Sequence, residues 1–227
     1  MSRIVWDKIG EHLYETGIEK GVLYPIDTAT NTYNKGVPWN GLSKVSEKPS
    51  GAEASPVYAS NSTYLNLMSV EKFAATVEAY TYPPEFEVCD GSAELAPGVS
   101  VGQQNRKMFG MCYKTLIGND TEGTDHGYKL HLVYGALAAP SEKGYQTVNE
   151  SPEAAALSWE LSTTPVPVTG HKPSACLTID STKVDAAKLA ALEAILYGKD
   201  ATTEPAVEAT IARLPFPDEV KSIMTNA

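Results

Sequence analysis

Positive charge is in deficit in this 227-residue chain: 18 Lys and Arg stand against 28 Asp and Glu, a net charge of -10. Affinity for a phosphate backbone comes from Lys and Arg displacing counterions, so this deficit argues against a protein that grips nucleic acid. Cysteine is scarce too. Cys89, Cys112 and Cys176 are odd in number and far apart, which suggests neither a disulfide framework nor a zinc site. No apolar run approaches a membrane span, and Met1-Ser-Arg-Ile-Val-Trp-Asp7 lacks the apolar segment of a signal peptide, so a cytoplasmic product with no membrane partner is expected. No Ser or Cys sits in a nucleophile motif, and His12, His126, His131 and His171 are scattered. No catalytic residue, cofactor or metal ligand is therefore assigned.

What is present is alternation. In Tyr128-Lys-Leu-His-Leu-Val-Tyr-Gly-Ala136 one side carries Tyr128, Leu130, Leu132, Tyr134 and Ala136, and the other Lys129, His131, Val133 and Gly135. A period of two predicts a strand with one buried and one wetter face. Ala155 to Ser162 repeats the device, with Leu157, Trp159 and Leu161 inward and Ser158, Glu160 and Ser162 outward. Lys107–Ile117, Ala75–Tyr82 and Ala175–Asp180 read the same way. The period changes once. Leu189, Leu192 and Leu196 fall on one stripe after a capping pattern at Thr182–Asp185, which predicts a helix from Lys183 to Tyr197 lying on a sheet face. A further short helix is possible after Pro217.

The segments between are polar. Glu85, Glu87, Asp90 and Glu94 surround Cys89, but acid/base chemistry needs a convergent histidine or cavity, so a solvated acidic loop is expected. Asn119, Asp120, Glu122 and Asp125 lack the spacing of a calcium loop and read as a hairpin connection. Pro140–Pro152 is another polar loop. The stretch from Tyr33 to Tyr64 is rich in Gly, Ser, Ala, Pro and Asn and is too long for an ordinary connection, which leaves disorder or stabilisation by a partner. Within it Val57-Tyr-Ala and Tyr64-Leu-Asn-Leu67 flank Ser60-Asn61, the pattern of a hairpin. Aromatics on such hairpins anchor contacts with other proteins, although a self-packed loop fits the spacing equally well.

Several runs together resemble the major tail protein, or tail tube protein, of long non-contractile-tailed bacteriophages infecting Gram-positive hosts. They are Trp6-Asp-Lys-Ile-Gly-Glu-His-Leu-Tyr-Glu-Thr-Gly17, Gly36-Val-Pro-Trp-Asn-Gly41, Pro49-Ser-Gly-Ala-Glu53, Ala79-Tyr-Thr-Tyr-Pro-Pro-Glu-Phe86, Cys89-Asp-Gly-Ser-Ala93, Leu116-Ile-Gly-Asn-Asp-Thr-Glu-Gly123, Lys129-Leu-His-Leu-Val-Tyr-Gly135 and Trp159-Glu-Leu-Ser-Thr-Thr-Pro-Val-Pro-Val168. They span most of the chain, and none is a catalytic signature.

The resemblance implies a mainly β domain over residues 1–227, with two packed antiparallel sheets in a sandwich or barrel and one flanking α-helix. It has an N-terminal arm (1–24), a long loop or hairpin (33–64) and a C-terminal extension (199–227). It further implies hexameric rings stacked into a tube, made in the host cytoplasm and found in the virion. The other tail partners are then the tape measure, distal tail and tail terminator proteins, and DNA passes through the lumen without specific binding. On this reading Glu78 and Glu160 face the lumen, and Trp6, Trp39, Leu42, Tyr58 and Tyr64 make subunit or ring contacts. The alternatives are a carbohydrate-binding β-sandwich on a phage surface, using Trp39, Tyr58 and Tyr64 as a platform, and an enzyme using the carboxylates of residues 85–94.

Overall fold

A computed structural model describes residues 3–147, 154–203, 206–207 and 209–225. The end of the polar loop expected at Pro140–Pro152, and parts of the extension expected at 199–227, lie outside the described residues. In chain order the elements are β1 (Tyr14–Pro25), β2 (Val37–Pro38), β3 (Leu42–Glu47), β4 (Ala54–Ala59), β5 (Ser62–Met68), β6 (Ala74–Ala79), a 3-10 turn (Pro84–Phe86), α1 (Glu87–Asp90), β7 (Ala93–Ala96), β8 (Val99–Val101), β9 (Phe109–Asn119), β10 (Gly123–Ala138), β11 (Leu157–Thr163), β12 (Cys176–Asp180), α2 (Ala186–Tyr197), β13 (Thr202–Thr203), β14 (Ala206–Val207) and α3 (Pro217–Thr225).

The protein is mainly β. One antiparallel sheet runs in the order β2-β1-β9-β10-β11-β6-β3, with β12 branching from β10, and among the described residues three two-stranded sheets (β4–β5, β7–β8 and β13–β14) stand apart from it. The two packed layers expected from the resemblance are two limbs of this one sheet. Leu23, Phe109, Met111, Tyr113 and Val133 of the β1/β9/β10 limb share a core with Val77, Ala79, Trp159 and Leu161 of the β6/β11 limb. The last strand, β3, comes back against β1, so the sheet is rolled almost into a barrel. Aromatic rings fill it: Trp159 meets Trp39, Tyr82 and Phe86 edge-on at 5.8, 5.6 and 5.1 Å between centroids.

A second core lies on the other face of β1, β9, β10 and β12, under α2, α3 and Leu214. Asp185 caps α2, its carboxylate accepting from Ala187 N–H and Lys188 N–H, so the helix starts three residues later than the Thr182 pattern predicts. Thr182 instead donates its N–H and hydroxyl to Asp180. Leu189, Leu192 and Leu196 are buried as the stripe requires, each contributing roughly 1.5–3 kcal/mol. Tyr24 and Tyr134 reach through this core and donate to the carbonyls of Leu196 (2.7 Å) and Pro215 (2.9 Å), which fixes the helix and the following chain to the sheet.

The wetter face expected for β10 is not wet. Val133 sits in the first core, Leu130, Leu132 and Tyr134 sit in the second, and His131 is only 8% exposed. The alternation sorts side chains between two cores. At Gly135, in a left-handed conformation (φ +57°), the pairing with β9 shifts, and Ala136 crosses to the first core. That bulge hands β10 from β12 to β11.

Candidate assembly surface

β3 and β6 do not stop at the edge of the body. Lys48 N–H donates to the Ala74 carbonyl, Ser50 bridges Lys72, and Ser69 N–H donates to the Glu53 carbonyl, so the pair continues outward into the β4–β5 hairpin. Ser60 and Asn61 turn it with φ of +51° and +63°, the left-handed pair that a two-residue hairpin needs. Six residues of β4 at ~3.3 Å each reach roughly 20 Å. Both faces of the ribbon are exposed. Val57 pairs with Leu65 and Ser55 with Leu67 on one face, and Ala54 pairs with Met68 on the other. Tyr64, at a bulge beside Tyr58, is 72% exposed and Tyr58 70%. A lone two-stranded hairpin is marginal in water, and this one shows apolar side chains on both sides.

Of the other expected contact residues, Trp6 is exposed on the segment before β1, and Leu42 is half-buried against the first core. Trp39 is corrected. It is buried at 3% exposure between Phe86 and Trp159, and its indole N–H donates to the Thr81 carbonyl at 3.0 Å, so it offers no surface to a neighbour. The carbohydrate platform loses the same residue.

Glu78 and Glu160 lie on adjacent strands, β6 and β11, turned away from the first core. Neither stands alone. Lys44 Nζ is 3.2 Å from Glu78 Oε1, and Lys48 Nζ is 3.9 Å from Glu160 Oε1. Each of these two carboxylates therefore has a lysine within 4 Å on the same face. The carboxylates of residues 85–94 also separate: Glu85 faces Lys35, Glu94 is exposed on β7, and Asp90 is buried with Lys143 and the Trp159 indole. The acidic loop expected there is largely structured, since Phe86, Cys89 and Asp90 are buried and β7 and β8 form a hairpin. Among the described residues no three His, Cys, Asp or Glu side chains are placed to hold a metal ion.

One polar cluster was invisible in the sequence. Glu47, at the end of β3, reaches from one limb of the sheet to the other. Its Oε1 accepts from Tyr113 Oη at 2.6 Å and lies 3.1 Å from His131 Nδ1, off the line of a well-formed hydrogen bond. His131 Nε2 shares a hydrogen bond with Thr115 Oγ1, and its ring stacks on Tyr113 at 4.6 Å. The His131 imidazole first, then the Tyr113 hydroxyl, holds the Glu47 carboxyl below the usual glutamate range against the opposing effect of burial. A depressed value in the folded state means stability that is whole above the ordinary titration near pH ~4.3 and lost as pH falls through the folded value. Glu47→Gln is expected to remove that dependence: the melting-temperature gap between wild type and variant should narrow from pH 6 to pH 3. A gap independent of pH would assign Glu47 no ionic role.

No family model matches this chain. Nor does any curated protein. Among solved structures, a chain of the sheath–tube complex of an extracellular contractile injection system, PVC, seen in the extended state by cryo-electron microscopy, is similar over 78% of this chain and 94% of its own. The two are 12% identical with a TM-score of 0.32. Among the described residues no helix is long and apolar enough to cross a membrane.

Proposed function

We propose that this protein is a non-enzymatic structural subunit that assembles with copies of itself into the tail tube of a phage particle, as hexameric rings stacked around a lumen. The observation that carries the reading is the β4–β5 hairpin: a projecting ribbon, apolar on both faces, that needs a partner to be stable. A second feature supports it. From Tyr14 to Lys20 the edge of β1 away from β9 has no hydrogen-bonded strand partner among the described residues: β2 pairs only with Val22 and Leu23, and β3 packs against β1 without pairing to it. An open edge invites another strand, and a ring of subunits that completes one another's sheets would close it. Together with the sequence resemblance, this favours a siphophage tail, with tape measure, distal tail and terminator proteins as the other partners.

In such a tube we assign Glu78 and Glu160 to the lumen wall. Their part is to occupy Lys44 and Lys48, so that no free cation meets the passing phosphate backbone. Trp6, Tyr58 and Tyr64 make the contacts between copies, and half-buried Leu42 adds the part of its side chain that the body leaves exposed. A carbohydrate-binding module fits less well, because with Trp39 in the core two tyrosines remain of its platform.

Negative-stain electron microscopy of the concentrated protein tests this. Hollow filaments of stacked rings are expected from the wild type, whereas Tyr58→Asp/Tyr64→Asp should keep the melting temperature within about 2 °C, the change expected of exposed positions, and give no filaments. Wild-type protein that stays monomeric beside tape-measure and tail-tip proteins would overturn the reading. A tube reconstruction with Glu78 and Glu160 on the outer wall would remove them from the lumen.

A further inference from the structure

The segment before β1 is long, apolar and barely attached. Ile4, Trp6, Ile9 and Leu13 are 69%, 73%, 85% and 62% exposed, so hydrophobic packing does not hold residues 3–13 in place. Among the described residues, the polar contacts this segment makes with the body all fall on the β9–β10 turn. Gly10 N–H donates to Asp120 at 2.9 Å (Oδ1) and 3.1 Å (Oδ2), His12 Nδ1 lies 2.9 Å from Oδ2, and Asn119 Nδ2 donates to the Gly10 carbonyl at 3.4 Å.

The receiving turn is built to present that carboxylate. Asn119 Oδ1 accepts from Thr121 N–H, Thr121 Oγ1 and Glu122 N–H, and Asn119 Nδ2 and Glu122 both contact His126, which stiffens the loop around Asp120. On the arm, Asp7 (φ +52°) and Gly10 (φ +87°) are both left-handed and fold the chain back so that the Gly10 amide meets it. The next fixed point is Tyr14, whose ring occupies the space that a side chain at Gly118 would take. The His12 imidazole, then the Gly10 amide, hold the Asp120 carboxyl down at about 2, which keeps the acceptor charged.

We propose that residues 3–13 form a releasable arm, parked on the β9–β10 turn by the Asp120 carboxylate, which takes the Gly10 amide and the His12 imidazole together. The attachment is polar and exposed, and release moves the apolar side chains from one aqueous setting to another. Docked and free states are thus close in free energy, and any surface that binds those side chains draws the arm away by shifting the population. This does not depend on the assembly reading, and the test uses dispersed subunits of the full chain.

The measurement is hydrogen–deuterium exchange resolved at residues 8–13 in wild type, Asp120→Ala and Asp120→Asn. Asp120→Ala is expected to exchange about three- to tenfold faster at Gly10, the factor for losing one such hydrogen bond, with Asp120→Asn between it and wild type. Amides of β9 and β10 should keep their wild-type rates, and tryptic cleavage after Lys8 should accelerate with Gly10. Unchanged exchange at Gly10 in Asp120→Ala would overturn the proposal. So would β9 and β10 amides that speed up in step with it, because the turn would then be unfolding and not releasing an arm.

Discussion

Trp159→Ala is expected to cost about 3–5 kcal/mol, against roughly 5–15 kcal/mol for the whole stability of an ordinary domain. Two losses combine at this position. The indole is fully buried and packs edge-on against Trp39, Tyr82 and Phe86, so its removal opens a cavity where the two limbs of the sheet meet. Its N–H donates to Asp90 Oδ1 at 3.1 Å, and Asp90 is a buried carboxylate that would keep Lys143 at 2.8 Å and Arg106 at 3.6 Å but lose its neutral donor. Arg106 and Lys143 belong to the connections after β8 and β10, so the loss spreads beyond the aromatic cluster. Urea unfolding measures this directly. Trp159→Phe separates the parts, retaining most of the packing and removing only the hydrogen bond, and should cost about 1–3 kcal/mol. A midpoint for Trp159→Ala close to wild type would mean that the limbs do not depend on this ring.

Gly135→Ala should be comparably damaging, at roughly 3 kcal/mol or more, for reasons of backbone alone. A Cβ at this position would lie 2.3 Å from the Thr164 carbonyl oxygen, on a residue whose φ of +57° already disfavours a side chain. Neither neighbour can yield cheaply. Thr164 N–H donates to the Gly135 carbonyl at 2.9 Å, and Gly135 N–H donates to the Tyr33 hydroxyl at 3.0 Å, so a shift breaks bonds on both sides. Gly102→Ala is the control: its Cβ would meet nothing within 4 Å, and a change within about 0.5 kcal/mol is expected. Equal melting temperatures for the two variants would show that the bulge tolerates repacking.

The sequence pattern located most of these elements without locating their surroundings. Trp159 and Leu161 point inward as alternation requires, and Leu189, Leu192 and Leu196 cover the sheet as their spacing requires. The hairpin around Ser60-Asn61 was legible because a polar pair separates two runs carrying aromatic and aliphatic residues, and Asn61 is a residue type that tolerates positive φ. Its isolation from the main sheet was not, since exposure on both faces depends on where the rest of the chain goes. β10 misled for the same reason. Alternation shows that two faces differ, yet His131 is buried, stacked on Tyr113 and 3.1 Å from Glu47, 84 positions away, and no local pattern records that partner. Trp39 misled through its neighbours: Pro38, Asn40 and Gly41 look like loop, but β2 pairs with β1 and carries the indole into the core. For β7 and β8 a signal existed, Pro97-Gly98 between two short alternating runs, and the acidic residues around it obscured it.

β10 pairs with β9, β11 and β12, and its side chains line both cores. The two cores thus have a wall in common, and neither can come apart while the other stays whole. Partial opening of one limb would strip hydrogen bonds from the strand that the other limb is built on. The body therefore unfolds as one cooperative unit, and among the described residues the β4–β5 ribbon and the segment before β1 lie outside it. A protein built this way can be pulled by its appendages without passing the strain into its interior.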